Sequence, residues 1–127
     1  MRMSTEFRIL VCGGRGYDNQ DRVNKILDKV VEAINGEKGT KSVRIIHGAA
    51  TGADSLAARW AAGRGIDSTA YPADWGAYGK RAGYIRNKQM LEEGKPHAVI
   101  AFPGGVGTRM MVGLAKRYGI PVKEYFE

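Results

Sequence analysis

The chain has 127 residues, 43% hydrophobic and 26% charged, with a formal net charge of +7 at pH 7. That length suits one domain with its own core, and a single cysteine, Cys12, excludes a disulfide framework and a cysteine-rich zinc site. No apolar run nears the ~20 residues of a membrane helix, and the start, MRMSTEFR, lacks a signal-peptide core, so the expectation is a cytoplasmic protein with residues 1–6 as a flexible tail. The positive charge favours anionic partners, namely nucleotides, nucleic acid or an acidic protein, or serves solubility alone.

FRILVC (7–12) reads as a buried strand ended by Gly13 and Gly14. Val23, Ile26, Leu27, Val30, Val31 and Ile34 then recur at helical spacing, with Asp18 or Asn19 as the cap and Asn35-Gly36 as the stop. SVRIIH (42–47) is a second strand, and the turn GAATG leads to a helix from about Asp54 to Ala62. A short third strand, Asp67 to Tyr71, is stopped by Pro72. The long loop PADWGAYG precedes a helix from about Lys80 to Glu93. HAVIAF (97–102) is a fourth strand, PGGVGT turns into a helix from about Thr108 to Tyr118, and IPVKEYF closes the chain as a fifth strand. This alternation predicts a single α/β domain, 1–127. Its parallel five-stranded sheet has the Rossmann-like order 3-2-1-4-5, with helices on both faces.

Glycine is abundant, 18 of 127, about twice the usual share. The glycine-rich stretches fall after strands one, two and four, at the edge where such sheets bind ligands. In PGGVGT, successive backbone N–H groups and the Thr108 hydroxyl can converge on an anion at a helix start; a tight turn that needs glycine for sterics is the alternative. CGGRGYDN lacks the third glycine of the dinucleotide fingerprint, and His47 ends strand two where a ribose-binding acid would stand, which argues against an NAD-dependent dehydrogenase. Arg15 is a candidate phosphate or base contact, or a solvated charge. Asp54 either complements its helix dipole or reaches a sugar hydroxyl. His47 is a packed strand-end histidine or a general base, and no second ligand shares a metal-binding spacing with it, so neither a metal nor a cofactor is expected. Between Asp74 and Glu92, Lys80, Arg81, Arg86 and Lys88 interleave with Trp75, Tyr78 and Tyr84, which suits a base and a phosphate or a solvated basic helix.

FRILVCGGRGY, IIHGAATGADSLAARWA, YPADW, AGYIRNKQML and VIAFPGGVGTRMM…AKRYGIPV, in that order from about Phe7 to Val122, resemble the YspA/YpsA-like branch of the SLOG superfamily. The resemblance implies a Rossmann-like fold related to the LOG phosphoribohydrolases and to the DNA-processing protein DprA, and a bacterial or phage origin. It implies a ligand that is a nucleotide, a nucleotide-derived signal or, as in DprA, single-stranded DNA. Of the LOG pattern P-G-G-x-G-T-x-x-E, Pro103, Gly104, Gly105, Gly107 and Thr108 are present, but Met111 stands at the glutamate position. Arg86 in RNKQM matches the arginine of the LOG segment R-K-x-x-M, with Asn87 in place of the lysine. Close relatives carry a small residue and an aspartate after the loop threonine; here these are Arg109 and Met110.

The expected ligand-binding set is therefore Gly13, Gly14, Arg15, Gly48, Asp54, Trp75, Arg81, Arg86, Asn87, Pro103, Gly104, Gly105, Gly107 and Thr108. With both carboxylates missing, nucleotide binding, with the phosphate on PGGVGT and the base near Trp75 or Tyr78, ranks ahead of N-glycosidic hydrolysis, for which Arg86 would be the electrophilic group and Asp54 or Asp74 the acid. DprA-like binding of single strands by the basic third helix is a further reading. The resemblance also implies a homo-oligomer, to which a helix face bearing Met110, Met111 and Leu114 can contribute unless those residues pack the core.

Overall fold

A computed structural model describes residues 6–35 and 42–126. The elements run β1 (Phe7–Cys12), α1 (Gln20–Asn35), β2 (Val43–His47), α2 (Ala53–Gly63), β3 (Asp67–Ala70), α3 (Trp75–Tyr78), α4 (Ala82–Glu92), β4 (Ala98–Ala101), α5 (Val106–Arg117) and β5 (Val122–Glu124). All strand pairs are parallel and the order is β3-β2-β1-β4-β5, as the alternation of elements predicts.

β1 lies at the centre because its apolar run is continuous. Side chains alternate across a strand, so Ile9 and Val11 enter one core and Leu10 and Cys12 the other. The first core takes Val23 and Leu27 of α1 with Leu56 and Trp60 of α2. The second takes Met90 and Leu91 of α4 with Met111, Leu114 and Ala115 of α5. Removing each such side chain from water contributes about 1.5–3 kcal/mol, so both faces of β1 anchor the fold.

Several boundaries differ from those the pattern predicts. α1 starts at Gln20, and Asn19 is its cap: the Arg22 N–H donates to Asn19 Oδ1 at 3.0 Å. Its expected stop, Gly36, lies outside the described residues, as do residues 1–5 of the expected tail; Glu6, the last tail residue, instead accepts from Arg44 Nε at 3.0 Å. The stretch expected as a long loop contains the single turn α3 and a 3-10 turn, Gly79–Arg81. Asp74 nucleates α3 by accepting from the Ala77 N–H at 3.0 Å, and one turn that contains Gly76 and ends at Gly79 is too short to show a period. α5 begins at Val106, two residues early, because Gly105 rather than a hydroxyl residue occupies its N-cap. Gly107 and Thr108 thus belong to the first turn of the helix. The last strand spans only Val122–Glu124, at the sheet edge.

Candidate functional site

With β1 flanked by β2 on one side and β4 on the other, the loops after these three strands meet at the carboxyl edge, where the strand order reverses. Main-chain hydrogen bonds fasten them together. The Gly14 N–H donates to Pro103 O at 2.8 Å, and Gly14 O accepts from the Ala53 N–H at 3.1 Å. Gly52 has φ 78°, and a Cβ there would overlap the carbonyls of Gly14 and Arg15, so only glycine allows this approach. At Gly104 a Cβ would overlap Thr108 Oγ1 and come within 2.7 Å of the Gly14 nitrogen.

Against this junction lies an open cavity of about 410 Å³, bounded by the loop after β1, the start of α5 and the inner face of α4. Of the expected residues, Gly13, Gly14, Arg15, Asp54, Trp75, Arg86, Asn87, Gly105, Gly107 and Thr108 line it. Gly48 lines a neighbouring cavity of about 260 Å³. Pro103 and Gly104 shape the junction from behind without lining either space. Arg81 is a correction: it sits exposed in the 3-10 turn and lines neither cavity, because that turn directs Lys80 to the cavity instead.

No side chain caps α5, which leaves its first N–H groups without a side-chain partner, and Gly105, Gly107 and Thr108 of this helix start line the cavity. Arg15, Lys80 and Arg86 bring three cations to the walls, and Arg15 Cζ sits 5.5 Å from the ring centroid of Trp75, which is 49% exposed. Tyr84 gives a second aromatic edge.

Asp54, 7% exposed, is the carboxylate of the cavity. Its Oδ2 accepts from the N–H groups of Gly48 at 2.9 Å and Ala50 at 3.3 Å. Burial raises its pKa, against the pull of those two N–H groups, His47 and Arg86. Arg86 donates from Nη1 to Gly48 O and, at 3.4 Å, to Tyr71 O, while its Nε donates to Asn87 Oδ1 at 3.0 Å. Burial lowers the Arg86 pKa, Asp54 offsets this and Arg15 adds to it. Asn87, itself buried, donates from Nδ2 to Met110 Sδ at 3.7 Å and so orients both neighbours. His47 is a packed strand-end residue: its Nδ1 accepts from the Ala49 N–H at 3.0 Å, and burial lowers its pKa. Cys12 reaches the cavity floor, but burial followed by the charges of Asp54 and Glu124 pushes its thiol up to about 12, which keeps it protonated.

Lys80, Tyr84, Met90, Met110 and Met111 line the cavity but fall outside the expected set. The interleaved cations and aromatics pointed to Lys80 and Tyr84; nothing local marks Met90. Met110 and Met111 occupy the wall where a carboxylate was sought, and Met111 is 1% exposed within the second core. Arg109 faces solvent and lines neither cavity. Met111 and Leu114 are buried in the chain's own core, so the helix face expected to support self-association is taken up internally.

Comparison with known proteins agrees with this architecture. The X-ray structure of TM1055 superposes with a TM-score of 0.66 at 14% identity, covering 91% of this chain and 72% of that one, a likeness of fold. Gene 61 protein of Mycobacterium phage D29 is 36% identical over 122 residues, 91% of this chain and 93% of its own length. The family described as YspA, cpYpsA-related SLOG matches residues 7–78, which hold the β1 glycines, the β2 loop with Asp54 and the α3 aromatics. On the strength of that match and the nearly full-length likeness to the phage protein, the chain belongs to the YspA, cpYpsA-related SLOG family.

Proposed function

We propose that the cavity binds a nucleotide or nucleotide-derived ligand, with its phosphate over the first turn of α5 and its base against Trp75 and Tyr84. Family membership and the Rossmann-like fold support a nucleotide-related function. The observation that carries the finer reading is convergence: an uncapped helix start, three cations and an aromatic wall face the same 410 Å³ space. An anion there meets backbone N–H groups and the positive helix end, and a planar base meets ring faces. Isothermal titration with nucleoside monophosphates, diphosphates and cyclic nucleotides tests it. Micromolar binding that Arg15→Ala weakens about tenfold (about 1.4 kcal/mol) is the expected result. Absence of binding below the millimolar range overturns it, and steeply salt-dependent capture of single-stranded DNA in its place transfers the site to nucleic acid.

One observation favours a second reading, N-glycosidic hydrolysis: Asp54 lines the cavity with a raised proton affinity, next to Arg86. A protonated carboxyl can help a base depart. Its Oδ2 already holds two loop N–H groups, and methionines stand where a carboxylate would stabilise the sugar cation. Release of free base from a nucleoside monophosphate, lost in Asp54→Asn with binding retained, would establish catalysis; intact nucleotide after prolonged incubation excludes it.

A further inference from the structure

Between β3 and α4 the chain leaves both cores. Every residue from Asp74 to Arg81 is exposed, and none of them enters either hydrophobic cluster. The hydrogen bonds of α3 close on the segment itself. Asp74 accepts from the Ala77 N–H with its side chain and from the Tyr78 N–H with its carbonyl, both at 3.0 Å, and Trp75 O accepts from the Gly79 N–H. Among the described residues, no hydrogen bond or ion pair ties Pro72–Tyr78 to the loops after β1 and β2 or to α5. The two ends, by contrast, are fixed: the Tyr71 N–H donates to His47 O at 2.8 Å, and Ala82, buried, begins α4. Gly79 has φ 56°, and a Cβ there would meet nothing within 4 Å, so the chain is free to turn at this point.

One contact crosses from this segment to the loop after β1. Arg15 Cζ lies 5.5 Å from the Trp75 ring centroid, and among the described residues that ring is the only partner of the guanidinium. Trp75 lines both cavities, while Pro72 and Ala73 line the smaller one. We propose that Pro72–Tyr78 is a lid, hinged after Tyr71 and at Gly79, which the Arg15–Trp75 stack latches over the two cavities. Breaking the stack lets Trp75 swing outward and admits solvent to the cavity floor. The latch is weak by nature, because a cation–π contact at an exposed site shifts an equilibrium only a few-fold. The lid stands whatever the cavity binds.

The test uses the full chain without ligand. The indole N–H of Trp75 reports on the lid, and that of Trp60, buried and donating to Asp28 Oδ1 at 2.8 Å, is the internal control. Relaxation-dispersion NMR is expected to show exchange at Trp75 and at the Ala77 and Tyr78 amides with one common rate, and none at Trp60. Arg15→Ala is expected to raise the open population about two- to fivefold. Cys12, on the floor of the larger cavity, probes access: burial keeps its thiol protonated and labelling slow, so the rate follows the opening equilibrium. A small methanethiosulfonate reagent should label Arg15→Ala faster by the same factor, at an unchanged urea midpoint. Trp75→Leu, which breaks the latch from the lid side, should match it. Flat dispersion at Trp75, or an open population indifferent to Arg15→Ala, overturns the lid. Labelling that stays at the wild-type rate while the population shifts also overturns it, because the moving segment then does not cover the cavity.

Discussion

Asp54 and Arg86 grip the same residue from its two ends. The N–H of Gly48 donates to Asp54 Oδ2 at 2.9 Å, while the carbonyl of Gly48 accepts from Arg86 Nη1. A helix start and a helix interior far apart in sequence thus hold one turn of backbone between opposite charges. A Cβ at Gly48 would overlap the guanidinium, so this grip requires glycine. The two residues expected to do chemistry are also the ones that fix the shape of the β2 loop.

Removing the Asp54 acceptor strands buried donors. Asp54→Ala is expected to cost about 1–3 kcal/mol at neutral pH by urea unfolding, and Asp54→Asn less, since its amide oxygen can still accept. The pH dependence has a definite sign. The folded pKa lies above the ordinary 3.8, so the native state holds the extra proton, and the stability this gives is present below 3.8 and lost as pH rises through the raised value. Unfolding curves from acid to neutral pH should therefore show the wild type falling relative to Asp54→Asn. A gap that is constant or of opposite sign contradicts the assignment.

His47 should act in the opposite sense. Burial lowers its pKa from 6.5, so the native state binds fewer protons than the unfolded chain below that value. The stability it contributes is complete above pH 6.5 and is lost as pH falls through the lowered value. His47→Asn, whose Oδ1 can replace Nδ1 as acceptor for the Ala49 N–H, is expected to flatten this acid-side loss. Equal slopes for wild type and variant would mean that the imidazole titrates as in the unfolded chain.

Gly52 and Gly65 separate backbone conformation from crowding. Both have positive φ, 78° and 66°, but a Cβ at Gly52 overlaps the Gly14 and Arg15 main chain, whereas one at Gly65 meets nothing within 4 Å. Gly65→Ala should cost only the left-handed conformation, about 1–2 kcal/mol. Gly52→Ala should cost clearly more and weaken nucleotide binding too, because the loops after β1 and β2 must part. Thermal unfolding of the two variants side by side checks the order.

Introducing an acid at the position of the LOG glutamate is expected to destabilise the fold. Met111 is 1% exposed and packs with Leu10, Met90 and Leu114, so Met111→Glu places a carboxylate in an apolar core. A loss of several kcal/mol, partly relieved at low pH where the acid is neutral, is expected from denaturant unfolding across pH. A variant as stable as the wild type at neutral pH would show that position 111 opens to the cavity more than the packing indicates.

Much of the cavity wall was legible because its residue types are constrained locally. Glycines 13, 14 and 105 and Arg15 follow strand ends, and Gly107 and Thr108 open the next helix, at the edge where the chain order alone predicts a ligand. Arg81 and Lys80 show the limit. Adjacent in sequence and identical in charge, they are distinguished by a 3-10 turn whose phase no periodicity announces. Asp54 was legible as a residue of interest, but not as the anchor of the Gly48 and Ala50 N–H groups.

By itself, then, the sequence determined the element order, the parallel sheet and the edge at which a ligand would sit, because hydrophobic period and glycine placement are local properties of the chain. Only the tertiary structure decided which side chains share the cavity, since Arg15, Asp54, Arg86 and Met110 come from four separate elements and loops. It also decided that Met111 is a packed wall rather than an empty place for an acid, and that two adjoining cavities share Arg15, Trp75 and Arg86. Those outcomes depend on helix phase and on packing across the sheet, which residues distant in sequence set together.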